Sequence, residues 1–167
     1  MIAQEGWTRI TIVAALGLGV QIVLGSMWAL PLWLSLLLVI QFFRDPYRVI
    51  PQQSGAIVSP AHGRVVAIEN AMDPYIERPA LKISIFMNIF SVHSNRTPVG
   101  GVVVKKWYSK GRFFNASLDK ASELNEQSAV HIRTKNGWDV TSVQIAGLVA
   151  RRILCYVKSG QKVERGE

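Results

Sequence analysis

ITIVAALGLGVQIVLGSMWALPLWLSLLLVIQFF, Ile10–Phe43, carries no charged side chain from end to end. As one straight helix it would run about 50 Å, against about 30 Å of bilayer hydrocarbon, so a single upright span fits poorly. Gly25, Ser26 and Pro31 offer a break near the middle, leaving two apolar pieces, Ile10–Leu24 and Trp28–Phe43. Each would be about 22–24 Å long as a helix, short for a full crossing. The expectation is a helical hairpin, re-entrant or tilted, over residues 1–45. Arg9 precedes it and Arg44 and Arg48 follow it, which by the positive-inside tendency puts both ends on the cytoplasmic side of a cell membrane. Trp7, Trp28 and Trp33 are suited to an interface. A cleaved signal peptide is a poorer match, because the apolar run is too long and no small-x-small site follows it. A buried core hairpin of a globular protein is the competing arrangement.

Beyond Pro46 the pattern changes. Ala56-Ile57-Val58, Arg64–Ile68, Leu81–Phe86 and Gly101–Trp107 are short β-favouring runs separated by Gly, Pro or Asn. Gly111–Asn125 is polar and reads as irregular or part helical. Strand character resumes at Val130–Thr134 and Val140–Ile145, with Asn136-Gly137 as the hairpin turn between them. Ala150–Val157 and Gly160–Val163 close the series. Strands of this length and spacing predict a mainly β head over 46–167, an antiparallel sandwich or barrel with some helix.

The composition agrees with an anchor joined to a head. Hydrophobic residues make up 49% of the chain and charged ones only 18%, too apolar for an ordinary soluble domain, and the excess lies near the N-terminus. The net charge of +8 favours an anionic partner. With a hydrophobic segment beside it, acidic lipid is the better reading. No helix-turn-helix, zinc-finger or RNA-binding aromatic pattern points to nucleic acid. The single cysteine, Cys155, lies in an apolar run and reads as a structural thiol. His62, His93 and His131 lack the close spacing of a zinc helix, so no metal site is expected.

Five segments carry a family resemblance. They are Phe42-Phe43-Arg44-Asp45-Pro46; Ser59-Pro60-Ala61-His62-Gly63-Arg64; Phe86–Pro98, with Val92-His93-Ser94-Asn95-Arg96 inside it; Phe114–Glu123; and Gln144–Ile153. In order and spacing they resemble the large (β) subunit of the phosphatidylserine decarboxylase family, in its short bacterial and archaeal branch. The resemblance implies a zymogen that cuts itself before a serine near its C-terminus. It implies that the serine becomes a pyruvoyl group on a small (α) subunit. It further implies that this ketone forms a Schiff base with phosphatidylserine, an electron sink for the loss of carbon dioxide that yields phosphatidylethanolamine. No amino-acid side chain offers such an electrophile.

The site residues follow from the same resemblance. His93 matches the family histidine that activates the serine as general base and serves as proton donor later. His62 stands where the family has aspartate in Ser-Pro-Ala-Asp-Gly. An imidazole cannot supply the fixed negative charge that orients a neighbouring imidazolium, and in a serine triad that loss costs about 10⁴ in turnover. Self-cleavage is therefore the step this sequence places at issue. Phe90 occupies a position that is histidine in long-branch members. Asn95, Arg96, Asn115 and Lys120 are candidate contacts for an acidic headgroup. The expected partners are the small pyruvoyl-bearing subunit, membrane lipid and phosphatidylserine, with a homo-oligomer left open. Two rival readings stand: a catalytically silent acidic-lipid binder, suggested by His62, and a lipoyl-type carrier, suggested by Asp119-Lys120-Ala121.

Overall fold

Gly25 turns the apolar stretch back on itself. In a computed structural model, which describes residues 1–115 and 121–167, helix α1 (Gln4–Leu24) and helix α2 (Ser26–Phe42) are separated by this one residue. Its φ of 89° lies in the region that only glycine enters without strain. The two ends of the hairpin are tied side by side. Ala3 N–H donates to the Phe43 carbonyl at 2.8 Å, and Asp45 N–H donates to that of Met1 at 2.8 Å. The helices approach closely where side chains are absent. Gly17 faces the Trp33 ring, and a Cβ on Gly6 would stand 2.5 Å from Phe43 Cβ. Trp33 Nε1 donates to Gln21 Oε1 across the pair at 2.9 Å. Most remaining apolar side chains, among them Ile22, Val23, Met27, Trp28 and Leu37, face outward.

The helical pieces differ from the expected ones. α1 begins six residues before Ile10, because Gln4 and Glu5 can form a polar first turn with the acid near the positive helix end. At 21 residues it is about 32 Å long, and its Gly6–Leu24 portion is long and apolar enough to cross a membrane. Pro31 lies inside α2 rather than at the break. It lacks the N–H a helix would use there, a loss that membrane helices tolerate.

The chain forms two compact units. One comprises Met1–Arg48, Ala61–Gly63 and Met87–Asn95; the other Val49–Pro60, Arg64–Phe86 and Arg96–Glu167. The second unit is mainly β and its strand pairs are all antiparallel, as the sequence predicts. Strands β1 (Arg64–Asp73) and β2 (Arg78–Phe86) form a two-stranded sheet with Arg64 opposite Phe86 and a bulge between Val65 and Ala67. A four-stranded sheet has the order β5-β4-β3-β6, from β3 (Gly101–Ser109), β4 (Gln127–Arg133), β5 (Asp139–Ile145) and β6 (Lys162–Val163). Helix α3 (Ala121–Leu124) is a single turn. The Asn136-Gly137 turn joins β4 to β5, with Gly137 at φ 80° and Thr134 N–H donating to the Trp138 carbonyl. Val99, Val103, Val130, Ile132 and Val163 form the core, with Val140, Cys155 and Val157 packed on it. Cys155 is thus a packing residue.

Two expected strands form no ladder. Among the described residues, Ala56–Val58 donates two backbone bonds, a local one from Ala56 N–H to the Gln53 carbonyl and one from Val58 N–H to the Pro98 carbonyl. Ala150–Val157 keeps strand-like alternation, with Ile153, Cys155 and Val157 turned inward and Leu154 and Tyr156 outward. Its carbonyls at Cys155 and Val157 accept from Lys106 Nζ instead of a neighbouring strand. The alternation reports burial, which does not require a pairing partner.

Candidate active site at the foot of the hairpin

The β1–β2 register returns the chain to its starting point, which is why residues 61–63 and 87–95 share one unit though far apart in sequence. The second of these segments is irregular and is fixed by side chains. Asn88 Oδ1 accepts from Phe90 N–H at 2.9 Å and from the Ser91 hydroxyl at 3.2 Å. Ser91 Oγ in turn accepts from Asn88 N–H at 3.1 Å. Ser91 and Val92 are buried.

His93 follows this turn. Its Nδ1 lies 2.9 Å from the Ser91 carbonyl, and a carbonyl can only accept, so Nδ1 carries the proton. The neutral tautomer so selected leaves the lone pair on Nε2. Burial pushes the imidazole below the ordinary histidine range, with the Ser91 bond opposing in part. The ring stacks on Phe42, the last residue of α2, at 4.2 Å between centroids and 26° between planes. Two arginines beyond α2 hold the backbone on either side of it. Arg44 Nη2 donates to the Phe90 carbonyl at 3.1 Å, and Arg48 Nη2 to that of Ser94 at 2.7 Å.

His62 is brought alongside. Its Nδ1 accepts a long bond of 3.4 Å from Val92 N–H, so its own proton sits on Nε2. Among the described residues it makes no hydrogen bond to the His93 ring, whose Nδ1 is oriented by a backbone carbonyl instead. Asn95 belongs to the same unit, and its Oδ1 is buried with no hydrogen-bond partner among the described residues.

The other sequence candidates lie elsewhere. Arg96 and Asn115 belong to the second unit, where Arg96 N–H donates to the Pro60 carbonyl at 2.8 Å and Asn115 is exposed. Lys120, with Asp119, lies outside the described residues. Sequence reasoning missed Phe42, Arg44, Arg48 and Ser91 as neighbours of His93. The Phe42–Pro46 segment was itself a signal, since its charge was explained only as a membrane flank.

In the second unit, residues 164–167 are held tightly. Arg165 donates to the carbonyls of Gln53 and Ala56, both at 2.9 Å. Thr97 N–H donates to the Glu167 carbonyl and Gly166 N–H to that of Thr97, each at 2.8 Å. A second histidine, His131, pairs with Asp139 at 2.7 Å, but Asp139 also binds Arg133 and Arg78, which commits its charge.

Comparison with known proteins gives a consistent result. A sequence model of the family described as phosphatidylserine decarboxylase matches residues 36–167. The chain is 56% identical to a phosphatidylserine decarboxylase proenzyme of Aromatoleum aromaticum, over all of this chain and 78% of that protein. It is 57% identical to one from Nitrosomonas eutropha, over all of this chain and 77% of the relative. A proenzyme of Burkholderia multivorans is 56% identical, over all of this chain and 78% of its own length.

Proposed function

We propose, on the footing that this chain belongs to the phosphatidylserine decarboxylase family, that it is the large-subunit region of an enzyme converting phosphatidylserine to phosphatidylethanolamine. The observation that carries the reading is the state of His93, with Nδ1–H committed to the Ser91 carbonyl and Nε2 left as a base. In the proenzyme, Nε2 would take the proton of a serine hydroxyl as that oxygen attacks the preceding carbonyl and hand it to the departing amide nitrogen, so that the peptide bond is exchanged for an ester. In turnover the same nitrogen would take a proton from the substrate ammonium and deliver it to the carbon that has lost its carboxylate.

A pyruvoyl group on a small partner subunit supplies the electrophilic carbonyl and the electron sink that no side chain offers. The residues present fit such a neighbour. Among the described residues neither His93 Nε2 nor the buried Asn95 Oδ1 has a hydrogen-bond partner, and the latter suits a donor such as the substrate ammonium. Within the second unit the backbone of Glu167 is held on Thr97. Arg96, Asn115 and Lys120 remain headgroup candidates on charge and amide chemistry.

The hairpin anchors the enzyme in the cell membrane. Its charge-free outer surface needs lipid, and the tied ends carry Arg9, Arg44 and Arg48, which favour the cytoplasmic side for the head. The test is expression of this chain together with the coding sequence downstream of Glu167. The expected products are a small fragment with a blocked, carbonyl-bearing N-terminus and carbon dioxide released from phosphatidylserine. An intact precursor and no carbon dioxide would refute the assignment.

A further inference from the structure

We propose that Ile89 and Phe90 form a wedge that enters the headgroup–acyl boundary of the bilayer beside the foot of the hairpin, so that His93 meets its lipid at the membrane surface. The inference rests on the membrane-anchor reading above and extends it to a second point of contact.

Both side chains stand out from the surface, Ile89 at 51% and Phe90 at 57% exposure. They are not on a loose loop. The Asn88 carboxamide, the Ser91 hydroxyl and the bond from Ser91 N–H to the Asn88 carbonyl lock the turn that displays them. Rigid display of two adjacent large apolar groups forms a small apolar patch that suits an apolar partner. The same unit identifies that partner. Arg44, two residues past the end of α2, donates to the Phe90 carbonyl, and Phe42 at the helix end stacks on His93. The wedge is therefore tethered at the end of the hairpin where Arg9, Arg44 and the exposed Trp7 gather, the mixture that suits a headgroup layer. Acyl chains around the hairpin are continuous with that layer. His93 follows Phe90 by three residues, about 11 Å of chain at most. A substrate lipid then needs no complete extraction, because a wedge beside the imidazole loosens its neighbours while its tails stay in the bilayer.

The test uses the full protein with Cys155→Ala as background and single environment-sensitive labels on Ile89→Cys or Phe90→Cys. The reference label is on Gly19→Cys, an open position on α1. Vesicles of phosphatidylcholine and phosphatidylglycerol carry nitroxides either high or deep on the acyl chain. The expected result is a blue-shifted label at 89 and at 90, quenched severalfold more by shallow than by deep nitroxides, with Gly19 quenched by deep ones. Labels at 89 and 90 that stay in water while Gly19 is quenched overturn the wedge and leave the anchor standing. Labels that shift blue without quenching also overturn it, in favour of a protein contact. An unquenched Gly19 label refutes the anchor, and the wedge with it.

Discussion

A histidine is made a base by what its other nitrogen does. At His93 the Ser91 carbonyl fixes the tautomer and burial disfavours the cation, so the imidazole stays neutral to lower pH than an exposed one. The acid limb of the pH profile for self-cleavage should therefore lie below the ordinary histidine value of about 6.5. A limb at or above it would show that the titrating group is another. Because the folded pKa is depressed, the native state binds fewer protons than the unfolded one. Stability should fall as pH drops through the unfolded value, and His93→Gln should remove that component. His62 is the complementary case. An aspartate there would supply the negative charge that neither the Ser91 carbonyl nor an imidazole provides, and His62→Asp is expected to raise processing about tenfold or more. Unchanged processing, followed by the ratio of precursor to fragments, would reject position 62 as the orienting site. Val-His marks His93 as a candidate in the sequence. Its tautomer is not legible there, because a backbone carbonyl two residues away leaves no mark in residue identity.

At the scale of elements, the hairpin proposed as an anchor is also a scaffold for the 90–94 segment. Arg44 and Arg48 read in the sequence as flanking charge, yet each spends a guanidinium N–H on a carbonyl of the 90–94 segment. Sequence periodicity found the hairpin because absence of charge is a local property. It could not find these bonds, which cross more than forty positions. Arg44→Met keeps the stem and removes the donor, leaving the Phe90 carbonyl to water. Processing should fall about tenfold or more, in line with the roughly 1.5–3 kcal/mol a charged hydrogen bond contributes, while thermal unfolding of the β unit stays within a few degrees. A collapse of folding would instead mark Arg44 as structural. Gly6 tests the other end of the same element. Its Cβ would meet Phe43 at 2.5 Å, so Gly6→Val forces that ring, and the Arg9 guanidinium 5.1 Å above it, out of place. The expected cost is about 1–3 kcal/mol, seen as loosened protection of the hairpin in hydrogen exchange.

Across the whole molecule the two units carry their ionisable groups to different ends. Among the described residues the first unit pairs neither His62 nor His93 with a carboxylate, whereas the β unit pairs His131 with Asp139. Asp139, 7% exposed at the side chain, receives His131 Nε2–H, Arg133 Nε–H and an Arg78 contact, joining the start of β2 to β4 and β5. This cluster is not legible in residue order, since it depends on the strand register that sets His131 against Thr141 and Arg133 against Asp139. Arg133 and then His131 hold the carboxyl down at about 2. A depressed acid adds stability that is fully present above its unfolded value near 4 and is lost as pH falls toward 2. Asp139→Asn should destabilise the β unit by about 1–3 kcal/mol at neutral pH, because the donors of a buried site lose their acceptor. The gap between variant and parent should then close between pH 4 and 2 in denaturant titrations. Processing at His93 should survive wherever the variant stays folded, since the two histidines serve separate units. A gap that persists undiminished to pH 2 would mean that Asp139 acts through shape rather than charge.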